Sequence, residues 1–585
     1  MSETLADALL ATSGSGRAFR RALTDRVVDH LRRLWPGETS GASLALVGSF
    51  SIDEGGPRSD VDLVVLHDGV AVDGLVHDVL YPMWDSGLAV DHSVRTPAEC
   101  RAIAKTDLPA LSGLLDLRHV AGDRALTEAV RTQVGADLRK QAPARIGELI
   151  ADARTRWAAE GPVAHLNEPD LKASHGGLRD LTLMRTLAAS WLTDFPHDKV
   201  DRAAEVLLDV RDGLHRHTRR HVSQLLRAHQ PAVAGMLGLE DDAELMRRLA
   251  QAGATIADAA EDACDRAMDA RSSWGSGGLR RRIRRAVSPR QQKPGPRLEE
   301  IGDGIALDGD QLVFTRADLA ADPTAVLALA DASARMRAVP SPATLDDIAA
   351  AQDGPIEWSP QRTRLFLDLL TEREGLLDTW FALDRTGVID AWIPEWSDIR
   401  YRPQKAEFHR WTVDWHSVST AVNMPGRESP SSQLNGLAII REPAEDGPSA
   451  VAPPSSTKSI QLMAALLHDI GKRPPNGGVD HPHEGAVLVP TILDRMGLAD
   501  LAPAVTTLVE NHLLLAQAAT TMNPDDPATA EHVLDPLDHD RELLDALHAL
   551  TRADSMAAGP KAWTPWRASL VDTLADRCRE ALDRR

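Results

Sequence analysis

Apolar residues recur at helical spacing over residues 18–35 and stop at Pro36-Gly37, which predicts a first amphipathic helix. Two strand-like runs follow, Ala42–Val47 and Val61–Leu66, separated by a polar loop. A third short run, Leu88–Val90, leads into Asp91-His92. Strand, loop, strand and strand in this order predict a small mixed sheet flanked by helices. From about residue 136 to 270 the pattern is almost unbroken amphipathic helix, for example from Leu171 onward and over Ala203–Leu226. A linker is expected at 276–297, where Trp274-Gly-Ser-Gly-Gly runs into the basic stretch Leu279-Arg-Arg-Arg-Ile-Arg-Arg and then the polar, proline-containing Ser288–Arg297. Residues 298–320 suggest a short β element (Ile305-Ala-Leu and Gln311-Leu-Val-Phe), after which helical periodicity continues to the C-terminus. One stretch, 425–458, is rich in Pro, Ser and Gly and reads as a long inserted loop.

These patterns give an α+β, mainly helical chain with expected divisions at 1–135, 136–275, a linker at 276–297, a connecting region at 298–400 and a last domain at 401–585. At 585 residues the chain is too long for one core. A net charge of −21 argues against non-specific binding to nucleic acid or an anionic membrane. The basic run near 280 has no aromatic interleaving and flanks the linker, so it does not reverse that conclusion. Cys100, Cys264 and Cys578 are far apart and form no CxxC pair, which excludes a thiolate zinc site. The N-terminus lacks a signal-peptide pattern, and no uncharged apolar run approaches the ~18 residues a bilayer requires. A reducing, cytoplasmic setting is expected.

Chemistry concentrates in two places. The first is Leu46-Val-Gly-Ser-Phe, then Ser59-Asp60-Val-Asp62-Leu, then Val90-Asp91-His-Ser. Period two on a strand puts Asp60 and Asp62 on one face. Carboxylates that close repel unless a divalent cation lies between them. Gly48-Ser49 forms a tight turn whose backbone N–H groups can approach triphosphate oxygens. Asp91, on a neighbouring strand end, would complete a site for two Mg²⁺ ions, with Asp85 as the alternative third carboxylate. A DxD alone can equally be a solvent-facing pair; Gly-Ser before it and a carboxylate strand after it change the reading.

This order resembles the polymerase-β-like nucleotidyltransferase superfamily. Trp84-Asp85-Ser-Gly-Leu, His92-Ser-Val-Arg-Thr, Leu115-Asp-Leu-Arg and Gly122-Asp further resemble the bacterial PII uridylyltransferase/uridylyl-removing enzyme. So do Asn167-Glu-Pro-Asp-Leu-Lys172 and Gly176-Gly-Leu-Arg179-Asp180. Lys172 and Arg179 are candidate phosphate ligands, with the glycine pair allowing close approach; alternatively Arg179-Asp180 is a structural ion pair. Where family members usually carry GGYGRGEL, this chain has Gly48-Ser-Phe-Ser-Ile-Asp-Glu54, without the basic residue.

The second place is the ordered set His416, His468-Asp469, His481, His512 and Asp554, each a plausible divalent-metal ligand on or beside an apolar helix. Adjacent His468 and Asp469 on one helix can share a metal, because their side chains differ by about 100° around the axis. The set is similar to the HD phosphohydrolase superfamily, an all-α domain that holds two divalent ions, such as Mn²⁺ or another transition metal. Lys472 is either a phosphate ligand or a helix cap, and His409 and His483 lie nearby without needing to be ligands. Arg385-Thr-Gly-Val-Ile-Asp-Ala-Trp-Ile-Pro-Glu and Phe408-His-Arg-Trp-Thr-Val-Asp extend the resemblance over nearly the whole chain.

The resemblance implies two heads acting on the PII signalling protein. One joins a nucleoside monophosphate to a tyrosine hydroxyl, from UTP by default or ATP as the alternative; the other hydrolyses the phosphodiester. Asp60, Asp62, Asp91, His468 and Asp469 are then the catalytic candidates. The family normally continues into two glutamine-binding ACT domains. This chain stops about thirty residues after Asp554, so either the sequence is truncated or the sensor is lacking, and glutamine switching is expected to be incomplete. Two rivals stay open: an adenylyltransferase of glutamine synthetase, which shares the transferase fold, and a regulatory binding protein with degenerate heads.

Overall fold

The computed structural model describes residues 4–37, 39–275, 298–309, 311–404, 409–425, 456–474 and 480–585. The chain divides into two compact units, Met1–Gln291 and Gln292–Arg585. The expected linker and its basic run lie outside the described residues.

In the first unit, helices α1 (Leu5–Ala11) and α2 (Gly16–Leu34) precede strand β1 (Ala42–Val47). Phe19, Leu23, Val27 and Leu31 recur every fourth residue of α2 and form its buried stripe. β2 (Val61–His67), α3 (Asp73–Trp84) and β3 (Val90–Arg95) follow, then α4 (Pro97–Ile103), α5 (Leu108–Leu115) and β4 (Arg118–Gly122). The strand order is β3-β2-β1-β4; β1 is antiparallel to β2 and β4, while β2 and β3 run parallel. This is the mixed sheet expected. Alternation along β2 divides its side chains between two cores. Leu63 and Val65 pack with α1, α2 and α3, whereas Val64 and Leu66 pack with α4, α5 and the next helix.

That next helix, α6 (Arg124–Glu160), is 37 residues long and contains the expected boundary at 135/136, which is therefore not a break in the fold. With α7 (Leu178–Ala189), α8 (His197–Thr218), α9 (Gln230–Met236) and α10 (Asp242–Gly275) it encloses a third core. Two helical expectations are corrected. Leu171–Gly177 is a turn, because Asp170 Oδ1 accepts the N–H groups of Lys172 (2.8 Å) and Ala173 (2.7 Å) and holds the chain out of the helix. α8 stops at Thr218, where Arg219 adopts the left-handed conformation.

The second unit opens with the antiparallel meander β5 (Glu299–Gly302), β6 (Ile305–Asp308) and β7 (Gln311–Phe314). Helices follow to the C-terminus around one core that runs from Ile305 to Cys578 and includes Trp380, Trp392 and Trp396. That core crosses the expected division at 400/401. The expected loop 425–458 is shorter at its end, since a helix begins at Ser456 and buries Ser459 and Leu462; residues 426–455 lie outside the described residues.

Two candidate functional sites

Asp60 and Asp62 stand at the entrance of β2 on the face of Val64 and Leu66. Asp91 lies directly beside Asp62 in the parallel register, so three carboxylates share that face. Burial, the Asp60 charge and the Asp91 charge push the Asp62 carboxyl up to about 6, and Lys172 pulls it the other way. Lys172 is therefore brought to these carboxylates from the helical layer. Asp85 instead caps the C-terminal end of α3 and is exposed.

Gly48 sits at φ +68°, and a Cβ there would lie 2.2 Å from Asp62 Oδ2. Only glycine permits both that conformation and that approach. Ser49 opens a 3₁₀ turn whose exit is pinned by two ion pairs, Asp53 to Arg118 and Glu54 to Arg185. Ser49 Oγ is buried with no hydrogen-bond partner, as expected of a hydroxyl placed for an absent acceptor or donor. Sequence reasoning missed His221, whose Nε2 is 4.0 Å from Asp60 Oδ1; it lies just past the end of α8, where the sequence reads as continuing helix.

The 167–180 block works differently from what its residue types suggested. Asp180 is fully buried and pairs with Arg156 (2.6 Å), Trp157 Nε1 (2.8 Å) and the N–H of Gly176 (2.7 Å), not with Arg179. The glycines serve packing: a Cβ on Gly176 would lie 2.1 Å from the Gly253 carbonyl oxygen on α10. Arg179 is exposed, and its N–H donates to the Lys172 carbonyl, which keeps the two cations adjacent in the chain path.

The second site is in the second unit. His416 comes from the helix Val413–Asn423, His481 from the first residue of His481–Arg495 and Asp554 from Arg541–Ala558. His468 and Asp469 occupy the turn just after Ser456–Leu467 rather than the helix itself. His512 lies in the turn after Ala502–Glu510. Asp469 joins two clusters. Its Oδ2 lies 3.4 Å from His468 Nε2 and 3.7 Å from His416 Nε2, while its Oδ1 lies 3.4 Å from His481 Nε2 and 3.7 Å from His512 Nε2. Asp554 Oδ1 completes the first cluster at 2.9 Å from His416 Nε2.

The donor set fits two divalent cations. Asp469 Oδ1 is buried with no hydrogen-bond donor, although four imidazoles surround the carboxylate. His468 Nδ1 donates to the Ala465 carbonyl (2.8 Å) and His512 Nδ1 to the Val509 carbonyl (2.7 Å), which turns each Nε2 inward toward the carboxylate. Burial pushes His512 down to about 3, which keeps it neutral and able to ligate. Burial alone would raise Asp469, but Lys472 and His468 overcome it and hold the carboxyl well below the usual range. Lys472 Nζ bonds Asp469 Oδ2 (2.6 Å) and Gln404 Oε1 (2.7 Å), so it is no backbone cap. His409 faces His416 edge-on with ring centroids 5.2 Å apart, whereas His483 is exposed and pairs with Glu510. Gln404 and Gly471 were missed by sequence reasoning; a Cβ on Gly471 would lie 2.2 Å from the His481 carbonyl oxygen, so this glycine lets His481 reach the site.

Comparisons with known proteins agree with this division. Residues 24–108 match the nucleotidyltransferase domain, 144–264 the GlnD PII-uridylyltransferase family and 439–555 the HD domain. The chain is similar to proteins named bifunctional uridylyltransferase/uridylyl-removing enzyme. It is 37% identical over 583 residues to that of Streptomyces coelicolor, covering 97% of this chain and 66% of the relative. The Mycobacterium tuberculosis protein is 37% identical over 569 residues, with 94% and 65% covered, so the chain spans just under two thirds of these two relatives. The Corynebacterium glutamicum protein is 32% identical over 549 residues, with 93% and 72% covered. Among the described residues no helix is long and apolar enough to cross a membrane. On these matches, the chain belongs to the family of bifunctional uridylyltransferase/uridylyl-removing enzymes.

Proposed function

We propose that the first unit transfers a nucleoside monophosphate, UMP by default and AMP as the alternative, from the nucleoside triphosphate to a tyrosine of the PII nitrogen-signalling protein, and that the second unit removes it by hydrolysis. The observation that carries this reading is that one chain holds two chemically distinct sets of candidate metal ligands: three carboxylates beside Gly48-Ser49, and Asp469 shared by two histidine pairs.

For attachment, Asp60, Asp62 and Asp91 would hold Mg²⁺, which supplies charge neutralisation for the triphosphate and the attacking oxygen. Backbone N–H groups of the Gly48-Ser49 turn, with Lys172 and Arg179, orient the phosphates. The tyrosine oxygen bonds to the α-phosphorus, the bond from that phosphorus to the bridging oxygen breaks, pyrophosphate leaves and the hydroxyl proton passes to solvent. For removal, His416, His468, Asp469, His481, His512 and Asp554 would hold two divalent ions, which lower the pKa of water. A water oxygen bonds to phosphorus, the bond to the tyrosine oxygen breaks, and tyrosine regains a proton as the nucleotide departs. Lys472 and the carbonyls of Ala465 and Val509 keep the ligands in place through these steps.

The glutamine synthetase adenylyltransferase reading has no use for a buried histidine-carboxylate set, and a degenerate binding protein has no reason to keep either set whole. Incubating the chain with PII, Mg²⁺ and either UTP or ATP, read by intact mass, tests the proposal. A gain of one nucleotide per PII subunit, later lost when Mn²⁺ is present without triphosphate, is expected. An unchanged PII mass with both nucleotides would overturn it.

A further inference from the structure

β3 is an edge strand: β2 pairs one side of it, and among the described residues nothing pairs the other. Edge strands of this kind are usually shortened, charged or covered, because they invite an added strand. Here the strand is exposed at Asp91, His92 and Val94. The Val61 N–H donates to the Ala89 carbonyl, which fixes the phase of the parallel ladder and directs the N–H groups of His92 and Val94 outward. The His92 N–H is met by Asp91 Oδ1 at 2.8 Å, so the carboxylate that faces the candidate transferase site also reaches over this edge.

Behind the edge, on the opposite sheet face, runs an exposed ladder of rings. His77 and Tyr81 have centroids 4.2 Å apart, Tyr81 and Trp84 5.3 Å, and Trp84 meets His92 edge-on at 6.1 Å. Tyr81 is 55% and Trp84 49% exposed, unusual for large rings with no fold role. Period two links the features. In a strand laid beside β3, one residue would point to the Asp62 and Asp91 face while its two neighbours point to the rings.

We propose that the acceptor polypeptide of the transferase binds as an added strand on the free edge of β3, with its acceptor hydroxyl beside Asp91 and an adjacent side chain on the Tyr81–Trp84 ladder. This rests on the reading above that the acceptor is a protein. The occupant follows from continuity with the carboxylates: an acceptor oxygen must come to the face of Asp60, Asp62 and Asp91, and Asp91 lies on the edge strand itself. Main-chain pairing would serve for affinity and the rings for register.

The test compares the unaltered chain with Tyr81→Ala/Trp84→Ala, using PII as acceptor and the nucleotide that the unaltered chain accepts. Because both rings are half exposed, the variant keeps its fold, and thermal melting checks that. The KM for PII should rise about tenfold while the KM for nucleotide and the removal rate stay unchanged. Hydrogen exchange on the unaltered chain should show the Val94 amide protected when PII is added. An unchanged KM for PII with the Val94 amide unprotected overturns the proposal and leaves the transferase reading standing. Protection that grows with chain concentration in the absence of PII assigns the edge to a second copy of this chain and also overturns it. No transfer by the unaltered chain overturns the transferase reading, and this proposal with it.

Discussion

The two sites solve the same electrostatic problem in opposite ways. In the second unit Asp469 is buried and Asp554 half-buried, and the counter-charges are built in: Lys472 and the His468 imidazole hold Asp469 low, and His416 holds Asp554 low against the penalty of desolvation. In the first unit three carboxylates face one another at a strand entrance, and Asp62 is pushed up to about 6 by its burial and its neighbours. A closed site that, under the proposed function, receives water and the phosphodiester of a modified tyrosine can keep its own balance. An open site that, under the proposed function, admits a triphosphate with its metal leaves part of the balance to the ligand, which would relieve the repulsion that raises Asp62.

The sharpest way to break this comparison is to remove one set at a time. Asp60→Ala with Asp62→Ala should abolish nucleotide attachment, by more than about a thousandfold as expected for loss of metal ligands, and leave removal unchanged. His468→Ala with Asp469→Ala should do the reverse. Intact-mass time courses on PII and on nucleotidylated PII separate the two. If either pair abolished both activities, the two sites would not be independent catalysts.

Glycine substitutions should give the next largest effects. Gly48→Ala drives a Cβ to within 2.2 Å of Asp62 Oδ2, and Gly471→Ala drives one to within 2.2 Å of the His481 carbonyl oxygen. A misplacement of this size near reacting groups costs about a hundredfold. Each is expected to reduce kcat of its own head only, with circular dichroism unchanged.

Metal should distinguish the sites by stability as well as by rate. Adding Mn²⁺ to the stripped chain at about a hundred times its dissociation constant should stabilise the second unit by about 2.7 kcal/mol. The rise in its melting temperature should vanish in the His468→Ala/Asp469→Ala variant. The open carboxylate site should respond much less to the metal without nucleotide. Equal responses from both units would remove the distinction between closed and open. A smaller effect concerns Lys172, whose charge lowers Asp62. Lys172→Ala should raise the KM for nucleotide about tenfold, in the range of a charge-assisted contact, and leave removal unaltered.

Legibility in the sequence follows the same division. β1 spans Ala42–Val47 and β2 begins at Val61, as their apolar runs predict, because a central strand is buried on both faces and reads directly. The histidine set was legible as ligand types in order, but not as two clusters sharing Asp469, since that depends on how turns after two helices meet. The packing roles of Gly176 and Asp180 in the 167–180 block were not legible, for a physical reason. The block's Gly, Arg and Asp are the residue types of a phosphate loop, yet Gly176 packs on Gly253 and Asp180 on Arg156, contacts between segments distant in the chain. His221 and Gln404 carried no local pattern that marks a site.

The last expected effect concerns a histidine outside both candidate ligand sets. His215 is buried in the α8 layer of the first unit, and burial, followed by the Arg211 and His221 charges, pushes it down to about 2. Its folded value is depressed below the ordinary histidine value of 6.5, so the unfolded chain binds a proton there that the folded unit does not. The contribution to stability is therefore fully present above the unfolded value and is lost as pH falls from about 6.5 toward 2, at up to about 1.4 kcal/mol per pH unit. Across pH 6.5 to 4.5, denaturant unfolding of the first unit should show this slope, and His215→Gln should flatten it while lowering stability at pH 8 by leaving an unmatched polar group in the core. The second unit, whose His512 is also depressed but is a candidate metal ligand, should show acid sensitivity that depends on Mn²⁺ concentration, whereas the His215 slope should not. Metal dependence in the first unit's slope would mean that His215 is coupled to the carboxylate site and that core and open site are not independent.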